Sequence, residues 1–139
     1  MRYLIDTNVV SSAMRAQRHV APRLESCRRA DLAISSVALA EGLFGCARLG
    51  ASGERKWGVW QALAAEWHVL PFDRACAEHY ARLRADLERR GCVIGDRDMM
   101  IAATALAHDL VLVTDNDTEF SRIPALRLEN WCTGPADGG

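Results

Sequence analysis

The chain is poor in lysine and carries no excess of positive charge. Lys56 is the only lysine among 17 basic residues, and the net charge is −1. A protein that binds nucleic acid through a uniformly basic surface would carry a clear positive excess, so the composition disfavours that class. The other basic residues are arginines, whose planar guanidinium groups suit bidentate contacts with phosphate. Any anion-binding surface must therefore be local.

Paired cysteines are also missing. The chain has 5 cysteines, an odd number, and no two of them form a Cys-x-x-Cys pair. This pattern disfavours both a secreted disulfide framework and a zinc site. We therefore expect free thiols in the reducing environment of the cytoplasm.

The sequence has no apolar run long enough for a signal peptide or a membrane span. A strand is predicted from residue 3 onward, and the acidic Asp6 interrupts the apolar run after only three residues. The longest mostly apolar stretch, residues 99–113, contains Thr104, His108 and Asp109 and is too short to cross a bilayer. We expect no membrane contact and a cytoplasmic location. A glycine-rich phosphate loop and a Ser-His-Asp order are absent as well.

Short apolar runs alternate with amphipathic segments along the chain. Strands are predicted at residues 3–5, 32–34, 69–72, 110–114 and 127–128. Helices are predicted at residues 9–14, 22–29, 36–49, 53–66, 74–90 and 99–108. This alternation predicts an α/β fold with a parallel sheet. We expect one domain over residues 1–133, followed by a flexible glycine-rich tail at residues 134–139.

Turn-forming residues set the expected ends of these helices. Serine and aspartate side chains commonly cap helix N-termini, and such caps are predicted at Ser35, Ser52, Asp73 and Asp96. Gly91 follows the long helix at residues 74–90 and suits the left-handed conformation that ends a helix.

Acidic residues fall near the predicted strands at one edge of the sheet. Asp6 ends the first strand, Glu41 lies on the helix after the second, and Asp98 starts the helix before the strongest strand. In open parallel sheets, active sites form beyond the carboxyl ends of the strands. Each acid also has an ordinary explanation: Asp6 as a helix cap, Glu41 on a solvent stripe, and Asp98 beside a helix dipole. Their coincidence at one edge favours a joint role.

Asp115, Asn116 and Asp117 follow the strand at residues 110–114 and add oxygen ligands at the same edge. Clustered carboxylates repel one another, so they raise each other's pKa or need a cation. Oxygen-only ligands select hard ions, and the sequence therefore predicts a Mg²⁺ or Mn²⁺ site. Such ions activate water and support in-line displacement at phosphorus.

Four stretches, in matching order and spacing, resemble the PIN-domain ribonucleases, and within them the VapC-type toxins of bacterial toxin–antitoxin pairs. The stretches are residues 4–9, 34–45, 98–105 and 112–120. The resemblance implies a PIN-like fold, a parallel sheet of four or five strands with helices on both sides. It also implies an endoribonuclease toxin that hydrolyses RNA, with tRNA as a candidate substrate, through a water activated by Mg²⁺ or Mn²⁺.

The same resemblance assigns the central site residues. Asp6, Glu41 and Asp98 match the core metal-binding acids of the family. Asp6 and Asp98 are expected to be direct ligands, and Glu41 is expected to be a ligand or to orient the attacking water. The fourth catalytic position of the family, often Asp, falls on Asn116, and a hydroxyl position near the metal falls on Thr114.

Neighbouring polar residues are supporting candidates. Asp115 and Asp117 flank Asn116 and could supply the missing acid, although a solvated loop face is the favoured interpretation of both. Asp96 is interpreted as a helix cap in preference to a metal contact. Asn8, just after the first strand, is a further supporting candidate.

Contacts with RNA and with partners must come from other residues. Candidates for phosphate contacts are Arg15, Arg18, Arg23, Arg48 and Arg97. Each of them alone is also compatible with an ordinary surface charge. The resemblance further implies a homodimer and a cognate antitoxin that lays a peptide across the acidic pocket. Candidates for that interface, and equally for the core, are Trp57, Trp60 and Trp67.

Two other functions stay open at this point. A catalytically inactive PIN-like binding scaffold is supported by the uncharged Asn116. An aspartyl-phosphate phosphotransfer protein with Asp6 as nucleophile is the weaker alternative, because such proteins need a lysine nearby and only Lys56 exists. The Asp-x-Asp loop of haloacid-type enzymes is also missing, since residues 6–8 read Asp-Thr-Asn.

Overall fold

The centre of the fold is a five-stranded sheet, seen in a computed structural model that describes residues 1–15 and 19–132. Its strands are β1 (Tyr3–Ile5), β2 (Leu32–Ser35), β3 (His68–Leu70), β4 (Val111–Val113) and β5 (Leu128–Glu129). They lie in the order β3-β2-β1-β4-β5, and all neighbouring strands are parallel. The predicted α/β class with a parallel sheet of four or five strands is therefore confirmed.

Helices connect the strands. They are α1 (Thr7–Met14), α2 (Val20–Ser26), α3 (Ser36–Ala47), α4 (Glu54–Glu66), α5 (Arg74–Arg89), α6 (Asp96–Ala107) and α7 (Asp117–Phe120). Short 3-10 turns occupy Arg29–Asp31 and Gly50–Gly53. The chain moves outward from β1 to β3 and then returns to β4. Because parallel crossovers are right-handed, this reversal places helices on both faces of the sheet.

The core surrounds the three central strands. Leu4, Ile5, Ile34, Leu112 and Val113 have no exposed surface. Strands covered on both faces read as unbroken apolar runs, which is why β1 and β4 were recognisable in the sequence. The strand order reverses beside β1, so the carboxyl ends of β1 and β4 border the crevice where ligands bind in such sheets.

Two predicted side-chain caps are present. The Ser35 Oγ accepts a hydrogen bond of 3.0 Å from the Ala38 N–H at the start of α3. Asp73 Oδ1 accepts one of 3.1 Å from the Cys76 N–H at the start of α5. Gly91 has a φ of 67° just after α5, as predicted.

The predicted cap at Ser52 is wrong. Ser52 lies inside the turn Gly50–Gly53, and α4 starts after Gly53 without a side-chain cap. A side chain at Gly53 would clash with the backbone of Cys46. This tight packing of the turn against α3, which the sequence does not display, decides where α4 begins.

The predicted cap at Asp96 is wrong as well. The N-cap of α6 is Gly95, and Asp96 is the first helical residue. Its carboxylate instead accepts a hydrogen bond of 3.2 Å from the Tyr80 hydroxyl on α5. Smaller differences concern element ends: α1 starts two residues earlier than predicted, α2 ends three residues earlier, and β3 covers residues 68–70 in place of 69–72.

The structure bears on the membrane and cysteine predictions. No helix within residues 1–15 and 19–132 is long and apolar enough to cross a membrane. The five cysteines are free thiols. Arg18 and the tail at residues 134–139, both named in the sequence predictions, lie outside the described residues.

Candidate active site

Asp6 lies at the end of β1 in a fixed orientation. Its side chain is only 5% exposed. Oδ1 accepts a hydrogen bond of 2.8 Å from the Thr7 N–H, so Asp6 also caps α1. Oδ2 accepts a hydrogen bond of 2.8 Å from the Thr114 hydroxyl, which follows β4 and is fully buried. Both carboxylate oxygens of Asp6 are therefore held by groups at the ends of neighbouring strands.

Glu41 and Asp98 reach the same place from helices. Glu41 lies on α3, the helix after β2, and Asp98 lies in the first turn of α6. An open cavity of about 360 Å³ is lined by Asp6, Glu41, Asp98 and Asn116, together with Asn8 and neighbouring polar residues. The structure thus brings the three predicted acids and the fourth family position together at one edge of the sheet.

The carboxyl groups in this cavity have raised pKa values. Burial is the main cause at Asp6, where the charges of Glu41 and Asp115 add to the shift. Burial also raises the pKa of Glu41, with Asp98 adding to it and Arg97 opposing it. At Asp98, burial and then the charge of Asp6 raise the pKa to about 6. Carboxylates that are partly desolvated and repel one another are a ready site for a cation.

Glu119 is a further acid beside this site, and it is not among the site residues predicted from the sequence. Its proximity to Asp98 helps to raise the pKa of Asp98, after burial and the charge of Asp6. Glu119 Oε2 also accepts a hydrogen bond of 3.4 Å from Asn116 Nδ2. The signal was the spacing of three residues between Asn116 and Glu119, which places them on one face of the turn that forms α7.

Asn116 is held by the same hydroxyl that holds Asp6. Its backbone N–H donates a hydrogen bond of 3.0 Å to Thr114 Oγ1. Thr114 therefore joins β1, β4 and the loop before α7. The neighbouring acids do not line the cavity: Asp115 is exposed and reaches Asp6 only through its charge, and Asp117 accepts hydrogen bonds of 3.1 and 3.3 Å from Asn130 Nδ2.

Asp96 is close to the site without lining the main cavity. With Glu41, Arg97 and Asp98 it lines a separate opening of about 440 Å³ on the side of α6. Its carboxylate is exposed and bonded to Tyr80, so it stands at the margin of the acidic cluster.

The candidate phosphate-binding arginines separate into groups. Arg97 Nη1 lies 3.4 Å from Glu41 Oε2 and forms an exposed ion pair with it. Arg15 lines the acidic cavity, and Arg48 lines a neighbouring one. Arg23 does not join the site, because it pairs with Glu129 at 3.3 Å and stacks over the Trp131 ring at 4.7 Å.

The tryptophans also differ in their environments. Trp60 is 3% exposed and packs so closely on Gly42 of α3 that a side chain at residue 42 would clash with the indole. Trp60 is therefore a core residue. Trp57 is 39% exposed, and Trp67 is partly buried against the core.

The cavity offers oxygen donors of the type that hard divalent ions prefer. Asn8 Oδ1 is buried at this site and has no hydrogen-bond partner within the described residues. As they stand, no three His, Cys, Asp or Glu side chains in the described part of the chain are close enough to hold one metal ion together. A cation here would therefore contact one or two carboxylates directly and keep water in the rest of its shell, as Mg²⁺ commonly does.

The sequence is similar to a known protein family and to named relatives over nearly its full length. Residues 3–126 match the family model of the PIN domain. The tRNA(fMet)-specific endonuclease VapC of Salmonella typhimurium is 34% identical over 133 residues, covering 95% of this chain and 99% of that protein. Ribonuclease VapC2 of Rickettsia felis is 33% identical over 135 residues, covering 94% of this chain and 98% of that protein.

Solved structures give the same result. The DNA-bound VapBC structure from Salmonella typhimurium has a chain that superposes with a TM-score of 0.86 at 33% identity, covering 95% of this chain and 99% of that one. VapBC2 of Rickettsia felis, bound to a DNA fragment from its promoter, gives a TM-score of 0.82 at 33% identity, covering 94% and 99%.

Proposed function

Because the chain belongs to the PIN-domain family, and within it to the VapC group, we propose that it is an endoribonuclease that acts as the toxin of a toxin–antitoxin pair. The observation that carries this proposal is the convergence of Asp6, Glu41 and Asp98 on one open cavity beyond the carboxyl ends of β1 and β4. The raised pKa values of these carboxyls fit a cluster built to bind a cation and a phosphate beside it.

A divalent cation, Mg²⁺ or Mn²⁺, is the cofactor that fits the donor set. Asp6 and Asp98 are the proposed direct ligands, and Glu41 is proposed to act through a bound water. The partnerless Asn8 Oδ1 is an acceptor suited to a water in the same shell. When bound, such an ion makes water more acidic and compensates negative charge on the phosphate.

The chain's own residues position the reaction. Thr114 and the Thr7 N–H hold Asp6 in one rotamer, so its oxygens need no reorientation during the reaction. Glu41 is partly buried and lies on the open cavity, and we assign it the role of orienting the attacking water and accepting its proton. The water oxygen forms a bond to phosphorus while the bond from phosphorus to the leaving ribose oxygen breaks.

The substrate and the partner follow from the relatives. The Salmonella relative is named for cleavage of tRNA(fMet), and we propose that a structured RNA such as tRNA is the substrate class here. The similar solved structures are complexes named VapBC, and we propose a cognate antitoxin protein that covers the acidic cavity. A homodimer stays a prediction.

The other two functions have less support. Asn116 argued for an inactive scaffold because it lacks a charge, but Glu119 brings a carboxylate to the same place. A phosphotransfer role would require Asp6 to attack phosphorus. Such proteins need a lysine near the phosphoryl group, and Lys56, the only lysine, lines the neighbouring cavity and not the one that contains Asp6.

The test is cleavage of total bacterial RNA by the purified chain, freed of antitoxin. The wild type, Asp98→Asn and Asp117→Asn are each incubated with Mg²⁺, with Mn²⁺ and with chelator. We expect discrete products from the wild type and from Asp117→Asn, and none with chelator or with Asp98→Asn. Asp117→Asn is the matched control because it makes the same change outside the cavity. A folded wild type that cleaves no RNA with either ion would contradict the proposal.

A further inference from the structure

A second cavity lies beside the acidic one and shares a wall with it. It has a volume of about 270 Å³ and extends between α1, α3 and α4. Thr7, Ser11, Arg15 and Glu41 line both cavities. A chain-like ligand that occupies the acidic cavity can therefore continue into this one.

Three cationic side chains converge on the second cavity from separate segments. Arg15 follows α1, Arg48 caps the end of α3, and Lys56, the only lysine, lies in the first turn of α4. None of the three pairs with a carboxylate within residues 1–15 and 19–132, although nine ion pairs are formed elsewhere in that part. Within the described residues, the side chain of Arg15 donates one hydrogen bond, of 3.5 Å, to the Ser12 hydroxyl. Their positive charge is therefore available to a ligand.

The charges around the acidic cavity are distributed unevenly. On this side, the second cavity carries three cations and one carboxylate, Glu41. On the other side, the opening at Asp96 carries three carboxylates and one cation, Arg97. A polyanion that enters the acidic cavity is repelled on the Asp96 side and attracted on the Arg48 side. The field thus favours one path across the surface.

One wall of the second cavity is formed by the glycines Gly42 and Gly45 of α3, which have no side chains to fill it. A side chain at Gly45 would meet no atom within 4 Å, so the helix backbone is directly accessible there. Gly42 is covered by the edge of Trp60. A sugar–phosphate segment can therefore approach α3 closely between Arg15 and Lys56.

We propose that this cavity binds a backbone phosphate of the RNA substrate adjacent to the phosphate that is cleaved. Arg15, Arg48 and Lys56 are the phosphate-binding residues, and the RNA strand leaves the acidic cavity across Arg15 towards α4. The proposal rests on the proposed ribonuclease function and adds the path that the RNA strand follows across the protein surface.

The first test measures binding without cleavage. Fluorescein-labelled bulk bacterial tRNA is titrated with the wild type and with Arg48→Gln/Lys56→Gln in the presence of chelator, by fluorescence anisotropy at several salt concentrations. We expect the double variant to bind about tenfold more weakly, and its log–log salt slope to be smaller by up to about 0.7, since the cavity holds one phosphate and each phosphate contact contributes about 0.7 on single strands. Because both side chains are exposed, the variant should keep the melting temperature of the wild type.

Two further variants separate a local site from general charge. Arg55→Gln removes a cation from the exposed neighbour of Lys56 that does not line the cavity, and it should bind as the wild type does. Gly45→Glu places a carboxylate on this wall of the cavity without a clash, and it should weaken binding at least as much as the double variant does. Equal weakening by Arg55→Gln and by Lys56→Gln would show only a diffuse charge effect and would overturn the site.

Cleavage assays distinguish failure of this proposal from failure of the ribonuclease function. With Mg²⁺ or Mn²⁺, the double variant should cleave with a KM raised about tenfold, and the change should fall mainly on KM. A wild type without any cleavage refutes the ribonuclease function itself. A wild type that cleaves, together with a double variant of unchanged KM and unchanged salt slope, refutes the phosphate site alone and would leave the cavity to a partner protein.

Discussion

Thr114 and Asp6, separated by 108 residues in the chain, form a buried hydrogen bond of 2.8 Å between hydroxyl and carboxylate at the ends of two adjacent parallel strands. The same Thr114 hydroxyl accepts a hydrogen bond from the Asn116 N–H. One side chain therefore connects the carboxylate at the centre of the candidate site with the loop that carries Asn116 and Glu119.

Replacing this hydroxyl should harm both stability and activity. Thr114→Val keeps the volume but removes the donor, so the free energy of unfolding should fall by about 1–2 kcal/mol at pH 7. The RNA cleavage rate should fall about tenfold or more because Asp6 loses its fixed rotamer. Thr114→Ser retains the hydroxyl and should recover most of the activity. Urea unfolding and a cleavage assay measure the two effects. Equal activity of the Val and Ser variants would contradict this role.

The acidic cluster should destabilise the cation-free protein at neutral pH. The pKa of Asp98 is raised from 3.8 to about 6. A carboxyl with a higher pKa in the folded state binds more protons when folded, so the stabilising contribution of Asp98 is fully present below about pH 4 and is lost as the pH rises through about 6. Asp98→Asn should therefore stabilise the chelated protein at pH 7 by about 1 kcal/mol, a value reduced for the partial exposure of the side chain.

The measurement is thermal unfolding of wild type and Asp98→Asn in chelator between pH 4 and pH 8. The difference in melting temperature should be small at pH 4 and should grow up to pH 7. Adding Mn²⁺ at pH 7 should stabilise the wild type more than the variant, since the variant lacks a proposed ligand. A stability difference that does not vary with pH would be inconsistent with the raised pKa.

Glu119 should influence Asp98 directly. Its carboxylate lies close enough to favour the protonated form of Asp98. In Glu119→Gln the pKa of Asp98 should move from about 6 back towards its ordinary 3.8, which a carbon-detected NMR titration of the cation-free protein measures. Asp117→Asn is the matched control, because Asp117 is bonded to Asn130 outside the cavity. An unchanged Asp98 titration in Glu119→Gln would place Glu119 outside the site.

Two glycines on α3 provide a matched test of packing. A side chain at Gly42 would overlap the Trp60 indole, whereas one at Gly45 would meet nothing within 4 Å. Gly42→Ala should lower the free energy of unfolding by about 2–3 kcal/mol through overpacking. Gly45→Ala should raise it by about 0.5–1 kcal/mol, since alanine favours an exposed helix more than glycine does. Chemical denaturation of both variants decides whether the α3–α4 contact is as tight as the structure indicates.

The main acids could be predicted because each lies in or beside a strand or helix that the sequence pattern indicates clearly. Asp6 follows a continuous apolar strand, and Glu41 and Asp98 lie on helices with clear periodicity or caps nearby. Glu119 was missed because α7 has only four residues, too few for a periodic pattern. Arg23 was included because the sequence does not reveal its stacking on Trp131 and its ion pair with Glu129, contacts that join residues more than 100 positions apart.

The predicted helix starts are wrong where the residue before the helix is a glycine and not a polar side chain that caps it. Ser52 and Asp96 are good capping residues by type, but the helices begin after Gly53 and after Gly95. At Gly53 the cause is contact with the backbone of Cys46, and at Asp96 it is the competing hydrogen bond from Tyr80. Both causes are tertiary contacts, which local sequence patterns do not encode.

The position of β1 has a consequence for synthesis of the chain. β1 precedes its partner β4 in the chain, and the Thr114 hydroxyl that holds Asp6 is made 108 residues after Asp6. At a translation rate of 5–20 residues per second, the central strand waits about 5 to 20 seconds for them. A nascent chain that has not reached Thr114 lacks the pairing of β1 with β4 and has no assembled acidic cavity. Chains that terminate before Thr114 should therefore be harmless to the cell that makes them, because the site forms only after this residue has been made.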